Sequence, residues 1–332
     1  MGWRKWNLLV FMLVVFSIIY PCVGQPMPKK TPEIFAIVTY VGNDIQERSA
    51  RAFIKSVREL GGKYRDSKIY IILANPVNFP GDSLKGANVI LLPLEMDPEF
   101  SKYPLAIKAF VSAQVEKIVK DEVTSLAWFD PATLVLNSLD ELDLENKYGV
   151  AIRPVSLVNT IGIVPGSEPN DYWAPIYEEL GLNFKNVPAY ETVVDEKSIQ
   201  PYFNCEIFAV DPSLGIFTEW ARLLTKFLKD ENYQKNVCTT FLRRLFLHQA
   251  ILSGVIISRV NPKNIKPLSI KTGYPFGQHE QLSVQKQIKS LNELSAIIFD
   301  YQWEKNPKWM DIIPSYEPLK KWLIATYSEY QK

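Results

Sequence analysis

The most informative carboxylate in this chain is Asp130, which closes the apolar, β-rich run Leu126-Ala127-Trp128-Phe129. In an open α/β sheet, ligands collect outside the carboxyl ends of the strands, so an acid there can bind or catalyse. The plainer alternative is an Asp that caps the turn after its strand. Other nucleophile and phosphate chemistries lack their motifs. No G-x-G-x-x-G follows the first strand, and neither a G-x-x-x-x-G-K-[ST] loop nor a G-x-S-x-G elbow occurs. With only 2 His and 3 Cys, a disulfide scaffold is excluded and a catalytic zinc cluster nearly so, since such sites draw on His and Cys in threes and fours. The 37 Lys+Arg nearly balance the 36 Asp+Glu, and no long basic run occurs, so nucleic acid is not the expected partner.

A strand-end acid must be held by a sheet, and the chain supplies one. Ile34 to Tyr40 reads as a buried parallel strand. Gln46 to Leu60 carries apolar residues at helical spacing and ends at Gly61-Gly62. Lys68 to Leu73 and Val89 to Leu92 are further strands. Pro104 to Lys120 is a helix with Pro104 in its first turn, and Leu126 to Asp130 is the fourth strand. This β-α-β-β-α-β opening predicts an α/β fold with a mainly parallel central sheet flanked by helices. Later elements are strands at Gly149 to Arg153, Cys205 to Val210 and Ala296 to Phe299. Helices are expected at Phe217 to Lys229, Thr239 to Leu252 and Pro318 to Tyr330, and the polar run Leu282 to Asn292 is a further candidate. No internal repeat or low-complexity linker divides the chain, so residues 33–332 form one expected domain.

The N-terminus has a separate logic. Arg4 and Lys5 precede an apolar run from Leu8 to Tyr20, and small residues near Gly24 suit a cut, as in a secretory signal peptide over residues 1–24. An uncleaved membrane anchor is the alternative, although the run is slightly short of the roughly 20 residues a span needs. Residues 25–32 (QPMPKKTP) form a Pro-rich spacer. The expected location is therefore outside the cell or in a secretory lumen, with membrane contact only through this segment. Removal of Arg4 and Lys5 would leave 35 basic against 36 acidic residues. Cys205 and Cys238 would remain, as one disulfide or as two buried thiols.

Four ordered segments carry a family resemblance. Trp128-Phe129-Asp130-Pro131-Ala132-Thr133-Leu134-Val135-Leu136, closed by Leu139-Asp140-Glu141-Leu142, resembles the strand-acid-loop segment of nucleotide-sugar glycosyltransferases with the GT-A fold. The nearest group is the glycogenin-like and galactosyltransferase-like retaining enzymes. Tyr202-Phe203-Asn204-Cys205-Glu206 resembles that group's Tyr-Phe-Asn-Ser-Gly strand. His248-Gln249-Ala250-Ile251-Leu252 resembles its Asp-Gln or His-Gln helix, and Lys108 matches a basic position in the helix before the acidic strand. The resemblance implies transfer of a sugar from a nucleotide-sugar donor to a glycan, lipid or protein acceptor, with Mn²⁺ or Mg²⁺ holding the donor diphosphate. It implies catalytic or sugar-contacting roles for Asp130, Asn204 and Gln249, and nucleotide contacts for Thr39, Tyr40, Val41 and Lys108.

The departures are as informative. Ala132 stands where the group has its second Asp, and Glu206 where it has Gly. The late metal-binding His has Asp300 in its place, so a Mn²⁺ or Mg²⁺ site of Asp130 and Asp300 alone is poor in ligands, and transfer with a metal and transfer without one both stay open. His248 reads equally as a ligand or as a histidine at the core edge. A second reading, a glycan- or nucleotide-binding module that has lost catalysis, rests on Ala132 and Glu206.

Overall fold

The computed structural model describes residues 33–103, 105–159, 161–299 and 312–331. The expected signal or anchor and the spacer lie outside these residues, as do Pro104 and Asp300. Pro32–Lys332 is one compact unit.

In chain order the elements are β1 (Glu33–Val41), α1 (Asp44–Leu60), β2 (Lys68–Leu73), β3 (Val89–Pro93), α2 (Ile107–Val119), β4 (Val123–Phe129), β5 (Thr133–Val135) and β6 (Val150–Ile152). There follow α3 (Ala174–Glu179), β7 (Tyr190–Glu191), β8 (Ser198–Ile199), β9 (Ile207–Val210), α4 (Ile216–Lys229), α5 (Glu231–Asn236), α6 (Phe241–Leu245) and α7 (Leu247–Arg259). The chain closes with β10 (Ile265–Pro267), β11 (Ala296–Ile298) and α8 (Leu319–Tyr330).

Seven strands form the central sheet in the order β10-β6-β9-β4-β1-β2-β3. Every pair is parallel except those made by β9, which runs antiparallel to both β4 and β6. The sheet is buried on both faces, and alternate side chains of one strand enter different cores. Ala36, Val38 and Tyr40 of β1 point into the core with Leu126 and Trp128, on the side covered by α2, α4 and α7. Phe35, Ile37 and Val41 point the other way, with Ala127 and Phe129, onto Phe53 and Val57 of α1. This double burial is why the strands read as continuous apolar runs.

Local chemistry sets the element ends. The Asn43 side chain accepts from the Gln46 amide at 2.8 Å and starts α1. Gly62, at φ +61°, turns the chain after it. The start of α4 is capped from another helix. Buried Glu116 of α2 accepts from the amides of Phe217 (2.9 Å) and Thr218 (2.7 Å) and from the Thr218 hydroxyl (2.7 Å).

Two helix expectations are corrected. Thr239 to Leu252 is not one helix but α6 and α7, broken at Phe246. The His248 ring donates through Nδ1 to the Leu245 carbonyl at 2.8 Å, taking an acceptor that a continuous helix would use for its own ladder. Leu282 to Asn292 is not helical; turns lead to a short 3₁₀ segment at Leu291–Glu293, fixed by the Ser290–Glu293 capping box. The apolar residues Leu282, Ile288 and Leu291 of this run are buried all the same, in the core that also holds Leu134 and Ile297. The opening β-α-β-β-α-β order and the mainly parallel sheet are as expected. Cys205 and Cys238 are both buried free thiols.

Candidate active site

Asp130 leaves β4 where the sheet ends. Asp130 and Tyr40 each lie two residues beyond the Val38–Trp128 pair, so they emerge side by side from β4 and β1. On the other flank, the Asp130 amide donates to the Glu206 carbonyl just before β9 at 2.9 Å. The Thr133 hydroxyl closes the Asp130-Pro131-Ala132 turn by donating to the Asp130 carbonyl at 2.7 Å. Asn204 is joined to β6 through its amide, which donates to the Arg153 carbonyl at 2.9 Å. Residues distant in sequence thus meet at one edge because antiparallel β9 carries its beginning to the carboxyl ends of β4 and β6.

The central interaction is an ion pair. Lys108 of α2 is almost wholly buried and places its ammonium 2.5 Å from Asp130 Oδ2. Burial by itself depresses the Lys108 pKa, but the Asp130 carboxylate outweighs it and holds the ammonium above its ordinary value. The Asp130 side chain keeps 23 % exposure, so this pair has one side open to a ligand.

Around it lies a polar shell. The Asn204 side-chain amide donates to Glu206 Oε2 at 3.1 Å, and its oxygen accepts from the Glu206 amide at 2.8 Å. The Cys205 thiol lies 3.2 Å from Gln249 Oε1 and 3.1 Å from His248 Nε2. Burial pushes that thiol up to about 12. Burial, helped by the charge of Lys108, pulls His248 down to about 3, so its ring is neutral. With Nδ1 donating to Leu245, Nε2 is left as an acceptor facing the thiol. His248 is therefore packed in the core, only 2 % exposed.

Of the residues singled out in sequence, Asp130, Lys108, Tyr40, Asn204 and Gln249 converge here. Thr39 and Val41 are wholly enclosed within β1. Asp300 follows Phe299, whose amide donates to the Ala132 carbonyl at 2.8 Å, but Asp300 itself lies outside the described residues. Arg153 was not anticipated. It ends the apolar Val150-Ala151-Ile152 run, and that abrupt charge is its one sequence signal. It is buried, donates to the Gly273 carbonyl at 2.6 Å, and lies 3.9 Å from Glu206 Oε2. Burial lowers its pKa and Glu206 opposes the shift.

The donor set can be tested against Mn²⁺ or Mg²⁺, which want about six oxygen ligands. One Asp130 oxygen is held by Lys108, and the Ala132 side chain offers no ligand. No cluster of three or more His, Cys, Asp or Glu able to hold a metal occurs among the described residues. Of the two expected ligands, Asp130 is shared with Lys108 and Asp300 lies outside the described residues.

A family model described as "Rhodobacterales glycosyltransferase domain" matches residues 41–260. The chain belongs to this family. The match runs from the end of β1 through β4 and β9 to α7, and so spans Asp130, Asn204 and Gln249. The glycosyltransferase domain resembles the solved apo structure of WbbM, a bifunctional glycosyltransferase, with a TM-score of 0.53 and 13 % identity. That likeness covers 93 % of this chain and 53 % of WbbM, so this chain spans about half of WbbM. It also resembles the galactosyltransferase LgtC, solved with donor and acceptor sugar analogues, over 89 % of this chain and 94 % of LgtC (14 % identity, TM-score 0.46). Mouse xyloside xylosyltransferase 1, in its apo form, matches over 80 % of this chain and 97 % of its own (11 % identity, TM-score 0.44). No curated protein sequence matches the chain. The WbbM likeness shows a shared fold, in accord with the GT-A-like architecture that the sequence predicts. No helix among the described residues is long and apolar enough to cross a membrane.

Proposed function

We propose that this glycosyltransferase domain binds a nucleotide-sugar donor at the edge formed by β1, β4 and β9 and transfers its sugar without a divalent cation. The observation that supports it is the buried Lys108–Asp130 pair, which puts a fixed cation on the strand-end carboxylate where the family resemblance expects a metal. Lys108 neutralises and orients Asp130, whose open side accepts hydrogen bonds from donor-sugar hydroxyls. Tyr40 meets the nucleotide, with Thr39 and Val41 holding it in β1. Asn204 and Gln249 contact the sugar or the acceptor, and Asn204 is already oriented by Glu206. The acceptor is a glycan, lipid or protein hydroxyl. We also propose that residues 1–24 direct export or entry into a secretory lumen, as a cleaved signal or an anchor, with 25–32 as a spacer. Mass spectrometry of the mature N-terminus tests that.

The donor test is titration of UDP- and GDP-sugars with Mn²⁺ and with EDTA, repeated for Asp130→Ala and Asn204→Ala. Binding in EDTA that both variants weaken is the expected result; no binding under any condition sinks the reading. One observation favours a binding module instead. Asp130 and Asn204 are each engaged by a neighbouring side chain, an arrangement that holds a ligand without offering a free base. Transfer of sugar from any donor defeats that alternative.

A further inference from the structure

A second candidate site lies between α1 and α8, on residues that take no part in the Asp130 cluster. A cavity of about 100 Å³ opens there. Arg48, Arg51 and Lys55 of α1 line it at i, i+3 and i+7, a spacing that puts all three cations on one helix face. Like charges so placed repel unless something offsets them. Glu329 of α8 is the one acidic lining residue, and it pairs with Lys55 at 2.7 Å. Arg51 donates to the Ser83 hydroxyl at 3.3 Å, and the Arg48 guanidinium lies 5.5 Å from the centre of the Tyr330 ring. Ser83 in turn donates to the Glu47 carboxylate, which lies outside the cavity lining, and the Tyr330 ring carries no charge.

Two buried polar atoms here have no protein partner: Arg48 Nε and Thr326 Oγ1. Thr326 is 1 % exposed and lines the cavity. Buried polar groups are almost always satisfied, so an orphaned donor and an orphaned hydroxyl beside one small cavity require an explanation. A group of oxygen acceptors with negative charge answers both, since guanidinium and hydroxyl each donate to it. The cavity suits a single phosphoryl group and is too small for a whole nucleotide sugar.

We propose that Arg48, Arg51, Lys55 and Thr326 form a binding site for one phosphate group, either free phosphate or the headgroup of an anionic lipid. The full-length chain is titrated with inorganic phosphate, at constant ionic strength set with chloride, by calorimetry and thermal shift. Phosphate is expected to bind and raise Tm. Arg48→Gln and Thr326→Val are each expected to weaken it about tenfold or more. Thr326→Val, which removes the orphaned hydroxyl while keeping the shape, is expected to leave phosphate-free Tm unchanged or higher, so weaker binding cannot be put down to misfolding. Flotation with phosphatidic acid against phosphatidylcholine vesicles distinguishes the sources: Arg48-dependent flotation assigns a lipid headgroup, and soluble binding alone assigns free phosphate. No phosphate-dependent shift and no flotation, or equal effects in wild type and both variants, overturns the site and leaves the cavity to water.

Discussion

Removing one member of the Lys108–Asp130 pair is the sharpest test of how this site is built. Breaking a buried pair typically costs ~3–5 kcal/mol, because a charge is left without compensation. Lys108→Met leaves Asp130, which at 23 % exposure still reaches water, so the cost is expected at the lower end, about 3 kcal/mol. For a domain of this size that lowers Tm by roughly 6 °C. Asp130→Asn is worse placed, since it strands the ammonium of a lysine only 4 % exposed. The pH dependence gives an independent readout. In the wild type, the folded Lys108 pKa lies above its ordinary value, so its contribution is complete below the unfolded pKa and lost only as pH rises through the folded one. Stability should therefore be flat in this respect from pH 6 to 9. Without Asp130, burial becomes the dominant influence and depresses the pKa. The unfolded chain then binds more protons, and stability of Asp130→Asn should rise as pH climbs toward about 10. The assay is urea denaturation of wild type, both single variants and Lys108→Met/Asp130→Asn. The double variant should recover much of the loss, giving a coupling of about 2 kcal/mol. Additive single effects, within about 0.5 kcal/mol, would refute the pair as the organising contact.

Three further outcomes are expected. In a Cys22→Ser background, Cys205 and Cys238 should resist iodoacetamide at pH 8 until the protein is unfolded, because burial pushes their thiols up to about 12 and about 11; fast labelling of the native protein would contradict this. His248, held down to about 3 by burial, makes folding stability fall as pH drops below about 6.5, by up to ~1.4 kcal/mol per pH unit. Urea midpoints between pH 4 and 7 should show a shallower slope for His248→Asn, and an unchanged slope would mean the ring is protonated in the fold. Glu116→Ala should cost about 2–4 kcal/mol in chemical denaturation, since three donors at the start of α4 lose one buried acceptor; a loss below about 0.5 kcal/mol would show that water replaces it.

Much of this molecule is written locally. The buried strands β1, β2 and β4 are legible because double burial demands unbroken apolar runs, and α1 because its stripe and its terminal glycines agree. Asp130 is marked by the polarity change at a strand end, and Lys108 by order and spacing against a known family. The break at Phe246 was not legible, because it depends on a side chain, His248, competing for a backbone carbonyl. Arg153 was missed because a lone charge after three apolar residues does not say what it will face. What the sequence determined by itself was the sheet, its order of elements and the carboxylate at its edge, all of which follow from hydrophobic periodicity. Only the tertiary structure decided that the carboxylate's cation is Lys108, that the neighbouring thiol and imidazole are both neutral, and that three basic residues of α1 share a cavity with α8. Those depend on burial and on distances between residues far apart in the chain, and pKa shifts and ion pairs exist only once the fold has excluded water and fixed those distances.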